Sequence, residues 1–376
     1  MENKLAFLGG TPIRTTPFGS GKRYGEAELA EVRDCFEHGS LIYWGGYKIG
    51  QFCETVKNYF GVKYCAGCSS GSAALHAAVG AGLIEPGYEV ITSPITDIGS
   101  LIGVLYQNLI PVFADVDPHT YNITAETIEK VLTDRTRAII VVHLAGTPCD
   151  MDPIVELARR RNLLLIEDCA QAHGAEYKGR KAGSMGDIST TSFYPTKILG
   201  GYGDGGMVNT NDEALAQRLR RLRFYGAETT YYANEHGYNS RLDELQAALL
   251  LTKLPKIEQY IHRRREIATL YQEGLADTGL ILPKEASYGR HAYYLYVVRH
   301  PKRDEIIKKL RENNIHVNIS YPWPIHTMKA YEYLSWKTGD LPQTECAAKE
   351  IFSLPMYPSL TNEELARVVE VIRQLF

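Results

Sequence analysis

The sequence predicts an α/β protein in which a mostly parallel sheet carries helices on both faces and a smaller α+β unit follows. Two observations predict it. From residue 71 to residue 166, short apolar β-rich runs alternate with helical stretches, the pattern of parallel strands joined by crossover helices. Beyond them, Arg241–Thr278 is a long helical stretch broken by Pro255, which reads as a connector to a second unit.

The first 25 residues are rich in Gly, Pro and Thr and read as an irregular arm. Glu26–His38 is amphipathic and stops at Gly39, and Gly50–Phe60 is a second helix. Strands are expected at Tyr88–Thr92, Pro111–Val116, Ala138–Val142 and Leu163–Ile166. Helices are expected between them at Gly71–Leu83, Ser100–Gln107, Ala125–Leu132 and Pro153–Arg161. Ser189–Phe193 is a further strand and Asn211–Tyr225 a further helix. The second unit is expected to hold strands His291–Arg299 and His316–Ser320, with helices Arg303–Asn314 and Asn362–Phe376. The domains then run 1–25 (arm), 26–254 (large) and 255–376 (small). In such sheets ligands bind at the carboxyl ends of strands. His143, Glu167-Asp168 and Ser192 all fall there.

Composition narrows the function classes. Of 376 residues, 44% are apolar and 23% charged, an ordinary balance for a globular enzyme. A net charge of −3 gives no electrostatic pull toward nucleic acid or membrane. Arg263-Arg264-Arg265 is a short run that reads as a solvated helix face. No stretch approaches the roughly 20 apolar residues of a membrane span, and the apolar run near Met1 is too short for a signal peptide. A cytoplasmic location is expected. Seven scattered cysteines are not a disulfide framework. Cys65 and Cys68 have the spacing of a metal or redox pair, but no second pair or histidine cluster accompanies them. They read as small buried thiols leading into a loop, and no metal is expected.

The chemistry concentrates in two runs. Lys197 closes Ser192-Phe193-Tyr194-Pro195-Thr196-Lys197, with Gly200, Gly201, Gly203, Gly205 and Gly206 just behind. Upstream lies Glu167-Asp168-Cys169-Ala170-Gln171. A lysine amine forms a Schiff base with an aldehyde. A buried aspartate needs a partner, and a protonated pyridine nitrogen is one; held so, the ring becomes an electron sink. Gln171 is placed to meet the ring hydroxyl. Ser69-Ser70-Gly71-Ser72-Ala73-Ala74-Leu75 opens a helix with small residues, and helix N-termini bind phosphate through unpaired N–H groups. Each feature alone has an ordinary reading: a surface lysine, a structural salt bridge, a serine N-cap on a core helix. Together they fit one cofactor, pyridoxal 5'-phosphate. Gly203-Asp204-Gly205-Gly206 lacks the spacing of a dinucleotide fingerprint.

The chain resembles the DegT/DnrJ/EryC1/StrS family of pyridoxal-phosphate-dependent sugar aminotransferases. The likeness covers nearly all of it. The matching segments are Leu5–Arg14, Ser70–Leu75, Pro111–Asn122, His143–Met151, Glu167–Gly174, Ser192–Gly206, Gly237–Ala247, Tyr321–His326 and Leu354–Leu360. The resemblance implies fold type I, with a mostly parallel seven-stranded sheet and a smaller C-terminal domain. It implies that Lys197 is the Schiff-base lysine and proton shuttle, that Asp168 pairs with the pyridine nitrogen, and that Gln171 meets the ring hydroxyl. Ser72, Ala73 and Ser192 would hold the phosphate. Asn239 and Arg241 match residues the family lends across a dimer interface, so a homodimer is expected. His326 matches a histidine near the sugar pocket, and Tyr43, Trp44 and Tyr47 are further candidates to line it. In many members an aromatic follows Ser93-Pro94 and stacks on the ring; here Asp97 stands at that position. Either Ile98 or another residue covers the ring, or Asp97 has its own task near the substrate.

The activity implied moves an amino group from glutamate, or glutamine, to a keto-sugar, nucleotide-linked as the first expectation. A free keto-sugar acid or an inosose-like cyclitol is the alternative acceptor. A sugar dehydratase of the same family would carry histidine in place of Lys197. A non-catalytic cofactor-binding regulator would add a DNA-binding domain, and no helix-turn-helix precedes the arm.

Overall fold

A computed structural model of the chain describes residues 24–39, 46–229 and 231–376. Helices α1 (Glu26–His38) and α2 (Lys48–Phe60) come first, followed by strand β1 (Tyr64–Cys68) and helix α3 (Gly71–Ala81). Then β2 (Glu89–Thr92), α4 (Gly99–Tyr106), β3 (Ile110–Phe113), α5 (Ala125–Glu129), β4 (Thr136–Val142), α6 (Met151–Arg161) and β5 (Leu164–Asp168) alternate. Strands β6 (Ile188–Ser192) and β7 (Gly206–Thr210) complete a seven-stranded sheet in the order β1-β7-β6-β5-β4-β2-β3. Strand β7 runs antiparallel to β1 and β6, and the other neighbours are parallel. The expected mostly parallel sheet is therefore present.

Its strands are buried on both faces, and alternation along each strand sends side chains to opposite cores. Ala138 and Ile140 of β4 pack with α3 and α7 (Glu213–Leu222), beside Val90, Ile166 and Ile188. Ile139 and Val141 point the other way, with Ile91, Leu165 and the apolar face of α6. Helix α2 and helix α8 (Glu244–Lys253) cover the β7 end of that second face, through Phe52, Val56, Ala247 and Leu250.

Helix α9 (Ile257–Leu275) leads into the C-terminal part. Strands β8 (Tyr296–Arg299) and β9 (Ile351–Leu354) pair antiparallel there, beside α10 (Arg303–Glu312), α11 (Pro342–Glu350) and α12 (Asn362–Arg373). Tyr271, Tyr296, Leu310, Phe352 and Val368 belong to a core of their own.

Three departures from the expected elements have physical causes. Residues 316–320 form no strand and touch the sheet only at the single bridge Asn318–Ser353; the apolar run Ile351-Phe352-Ser353-Leu354, wholly buried, takes the place beside β8. The expected strand from His291 starts only at Tyr296, because Tyr293 sits at φ 47° in the left-handed region. Tyr64–Cys68, for which the sequence predicts no element, forms β1 because β7 pairs with it, and its buried Cys65 and Cys68 lead into the Ser69–Ser70 bend as expected. No described helix is long and apolar enough to cross a membrane.

Candidate active site

Three strand ends and one helix start converge. The register sets Val142 beside Asp168, and Gly206 beside both Ser192 and Cys68. Asp168 thus closes β5 and Ser192 closes β6, while β1 delivers the chain to α3. Ser70 caps α3 by accepting the Ala73 N–H at 3.1 Å. The packing there is close: a Cβ on Gly71 would lie 2.6 Å from Ser192 Cβ, and one on Gly206 would lie 2.3 Å from the Ser70 carbonyl oxygen. Only glycine lets α3, β6 and β7 meet so tightly. Together these elements line a cavity of about 260 Å3 with Ser72, Asp97, Ser100, Asp168, Ser192, Lys197 and Asp204 on its wall. Larger open clefts of about 840 Å3 and 690 Å3 lie elsewhere and share none of these groups.

Asp168 is buried. Its Oδ2 accepts the Ser100 hydroxyl at 2.7 Å and its Oδ1 the Ala170 N–H at 3.0 Å. Burial pushes its carboxyl above the ordinary range, and Ala170, Ser100 and the Lys197 charge pull only part of the way back. Among the described residues no cation forms an ion pair with it. A carboxylate this enclosed is short of counter-charge, and a protonated pyridine nitrogen has the charge and the N–H donor to meet it.

Lys197 follows a turn in which its own N–H donates to the Tyr194 carbonyl at 2.9 Å. The half-buried side chain puts Nζ 4.9 Å from the centre of the Tyr294 ring. It makes no ion pair among the described residues, so the amine is available to the cavity. Behind it, buried His173 accepts the Leu199 N–H on Nδ1 at 3.2 Å. Burial, with the Lys197 charge, drives that imidazole down to about 3, so it stays neutral.

Gln171 is held at both ends of its amide. Oε1 accepts the Ala145 N–H at 2.7 Å, and Nε2 donates to the Tyr321 hydroxyl. Ala145 at φ 56° and Tyr321 at φ 59° both occupy the left-handed region, which costs a non-glycine residue on the order of 1 kcal/mol or more. Burial raises the Tyr321 hydroxyl above its usual range, with Asp97, Tyr294 and Asp168 adding to it. Tyr321 is thus a group at the site to which sequence reasoning gave no role. Its only signal was its place in Tyr-Pro-Trp-Pro-Ile-His.

Beside Asp168, Glu167 is wholly enclosed. It accepts His143 Nε2 at 3.0 Å and the N–H groups of Gly183, Met185 and Gly186 at 2.8, 2.7 and 2.6 Å. Burial opposes its charge, but His143 and the backbone donors hold it below the ordinary carboxylate range. His143 Nδ1 accepts the Cys149 N–H at 3.0 Å. Although Cys169 also lies close, the lone pairs of His143 and Glu167 are committed to this brace under the cavity floor.

The remaining candidates are spread more widely. Ser72 is exposed on the cavity wall, while the N–H of half-buried Ala73 is taken by the Ser70 cap. Asp97 is exposed on the same wall, with Oδ1 accepting the Gly99 N–H at 2.8 Å. Ile98 does not line the cavity. Asn239 is exposed, and Arg241 donates to the Tyr225 hydroxyl at 3.3 Å over the rings of Phe224 and Tyr225. Neither reaches the cavity of its own chain. His326 does not line it either: the Ile325 N–H is pinned to the Pro94 carbonyl at 2.9 Å, and the buried ring meets Glu345 at 3.1 Å beside Phe113. Tyr47 gives its hydroxyl to Asp34 instead. Tyr43 and Trp44 lie outside the described residues.

The model of the DegT/DnrJ/EryC1/StrS aminotransferase family matches residues 22–373. A dTDP-3-amino-3,4,6-trideoxy-alpha-D-glucose transaminase of Micromonospora megalomicea subsp. nigra is 46% identical over 360 residues, 93% of this chain and 96% of its own. A pleiotropic regulatory protein of Geobacillus stearothermophilus is 40% identical over 93% of this chain and 94% of its own. The crystal structure of S. venezuelae DesV in complex with a ketimine intermediate superposes with a TM-score of 0.90 at 37% identity, over 93% of this chain and 94% of that one.

Proposed function

Because the chain belongs to the DegT/DnrJ/EryC1/StrS aminotransferase family, we propose that it uses pyridoxal phosphate to move an amino group from glutamate, or glutamine, to a nucleotide-linked keto-sugar. The observation that carries this reading is the enclosure of Asp168, with no ion-pair partner among the described residues, in one cavity with the Lys197 amine and the start of α3.

When bound, the cofactor supplies an electron sink for the pair left on a substrate carbon that loses its proton. The chain's own groups do the rest. Lys197 takes that proton and returns it, since its Nζ opens onto the cavity and no carboxylate among the described residues pairs with it. Asp168 holds positive charge on the ring nitrogen, and the Ser100 hydroxyl and Ala170 N–H fix the direction of its two oxygens. The start of α3, with Ser72 and Ala73, and the Ser192 hydroxyl receive the phosphate. Gln171, already clamped by Ala145 and Tyr321, faces the ring hydroxyl. Asp97 faces the acceptor.

Asn239, exposed, and Arg241, half-buried over Phe224 and Tyr225, line no part of their own cavity. We assign them to the cavity of a second copy, in a cytoplasmic homodimer. Residues 26–254 then carry the cofactor, and residues 255–376, with their separate core, contribute Tyr294 and Tyr321 from the other side.

The test is stepwise. Protein loaded with pyridoxal phosphate and mixed with glutamate should lose its visible absorbance band and release 2-oxoglutarate. The aminated protein should then convert a dTDP- or UDP-linked keto-sugar, by mass spectrometry, in preference to a free keto-sugar acid or an inosose. A band that persists with every amino donor contradicts transamination. Turnover of the free acceptors alone contradicts the nucleotide-linked assignment and leaves transamination standing.

A further inference from the structure

The spacing of Cys65 and Cys68 suggests a pair, but the strand separates them. Residues three apart on β1 point to opposite faces: Cys65 joins the core with Phe52, Val56 and Phe60, and Cys68 joins the core with Ala74 and Val90. The partner of Cys65 comes instead from α2. The Cys65 S–H points at Cys53, with Sγ 3.3 Å from that residue's carbonyl oxygen and close enough to its sulfur for each thiol to bias the other's protonation.

The two sulfurs are unequal. Cys53 is half-buried, with a path to solvent, whereas Cys65 is buried. Around Cys53 stand three groups that favour a thiolate: the Cys65 S–H, the Gly67 N–H and the charge of Arg223, whose Nη1 donates to the Gly67 carbonyl at 2.9 Å. The Cys65 S–H leads in holding the Cys53 thiol below its usual range, against burial. The same contact and burial hold Cys65 protonated. A reactive thiol beside a protonated neighbour is the arrangement of a redox-sensitive pair.

We propose that Cys53 and Cys65 are a modification site, joined as a reversible disulfide when the enzyme meets a peroxide. The Cys53 thiolate attacks one peroxide oxygen; an S–O bond forms, the O–O bond breaks, and hydroxide leaves. The Cys65 sulfur then attacks the Cys53 sulfur; an S–S bond forms, the S–O bond breaks, and the S–H proton goes to the departing hydroxide. Two thiols and one peroxide give one disulfide and two waters. The bond ties α2 to β1, the strand that leads into the Ser70 turn at the cavity.

The experiment oxidises the cofactor-loaded enzyme with hydrogen peroxide, blocks free thiols with N-ethylmaleimide, and maps tryptic peptides without reduction. The expected product links the peptide Ile49–Lys57 to the one beginning at Tyr64, lighter than their sum by two hydrogens and separated by dithiothreitol. Thiols titrated after denaturation should fall by two from the seven of the sequence. Cys68→Ser should keep the link. Cys65→Ser should lose it and leave Cys53 as a sulfenic acid that dimedone traps. Recovery of both Cys53 and Cys65 as maleimide adducts from the wild-type enzyme, or a link through Cys68, overturns the proposal.

Discussion

Ser100, in the first turn of α4, donates its hydroxyl hydrogen at 2.7 Å to Oδ2 of Asp168, whose strand β5 is separated from β2 by β4 alone. Thr96 backs that hydroxyl at 3.1 Å. The buried carboxylate is therefore aimed before any ligand arrives. In the role proposed for it, Asp168→Asn removes the charge that would keep the ring nitrogen protonated, and should lower the rate of the glutamate half-reaction by at least about a hundredfold. Ser100→Ala leaves the charge but loses one hydrogen bond to it, worth about 1.5–3 kcal/mol, so cofactor affinity should fall about tenfold or more. Stopped-flow absorbance and cofactor titration check the two effects. Unchanged rates in Asp168→Asn would assign that carboxylate another task.

Asn239 is exposed on a loop away from the cavity of its own chain. If it serves a second copy, Asn239→Ala should weaken cofactor retention. Mixing it with Lys197→Ala protein should restore activity through the one cavity per mixed dimer that keeps both residues. Activity of the mixture against each parent measures this, and no rescue at any ratio argues against shared sites.

Asp97 presents a carboxylate to the cavity, with one oxygen pinned by Gly99 and no cation beside it among the described residues. Asp97→Asn keeps the shape and removes the charge. It should lower kcat/KM for the acceptor about tenfold or more, the loss of one charged hydrogen bond, while the glutamate half-reaction changes little. Equal effects on both half-reactions would place Asp97 against the cofactor instead.

Two buried histidines make stability depend on pH. Burial holds His173 and His291 down to about 3 in the folded protein, against about 6.5 when unfolded. The unfolded chain therefore binds more protons between those values, and stability falls as pH drops below about 6.5. From pH 7 to pH 5 each histidine should cost about 2 kcal/mol. Denaturant titrations at the two pH values should show the drop, and His291→Asn should lessen it by about half. A flat profile contradicts neutral burial of the two rings.

Much of this was legible in the sequence because apolar periodicity and glycine stops are local signals. Glu26–His38 and the parallel strands from Glu89 to Asp168 show it. What stayed hidden depends on tertiary context. Tyr64-Cys65-Ala66-Gly67-Cys68 has weak strand propensity and becomes a strand only because β7 pairs with it. Residues 316–320 look as strand-like as Ile351–Leu354, and burial selects the second. Ser100 and Tyr321 lie 68 and 150 residues from their partners Asp168 and Gln171, and spacing along the chain says nothing of such contacts. His326, which the resemblance sets near a sugar pocket, packs its ring against Phe113 and Glu345 and lines no part of the cavity that holds Asp168 and Lys197.

The most direct measurement concerns Lys197. The enzyme loaded with pyridoxal phosphate is reduced with borohydride, digested and mapped. The account predicts a pyridoxyl group on Lys197 Nζ, and its absence from Lys197→Ala protein that still binds the cofactor but has lost turnover by at least about a hundredfold. A label on another lysine, or normal turnover without Lys197, would contradict it.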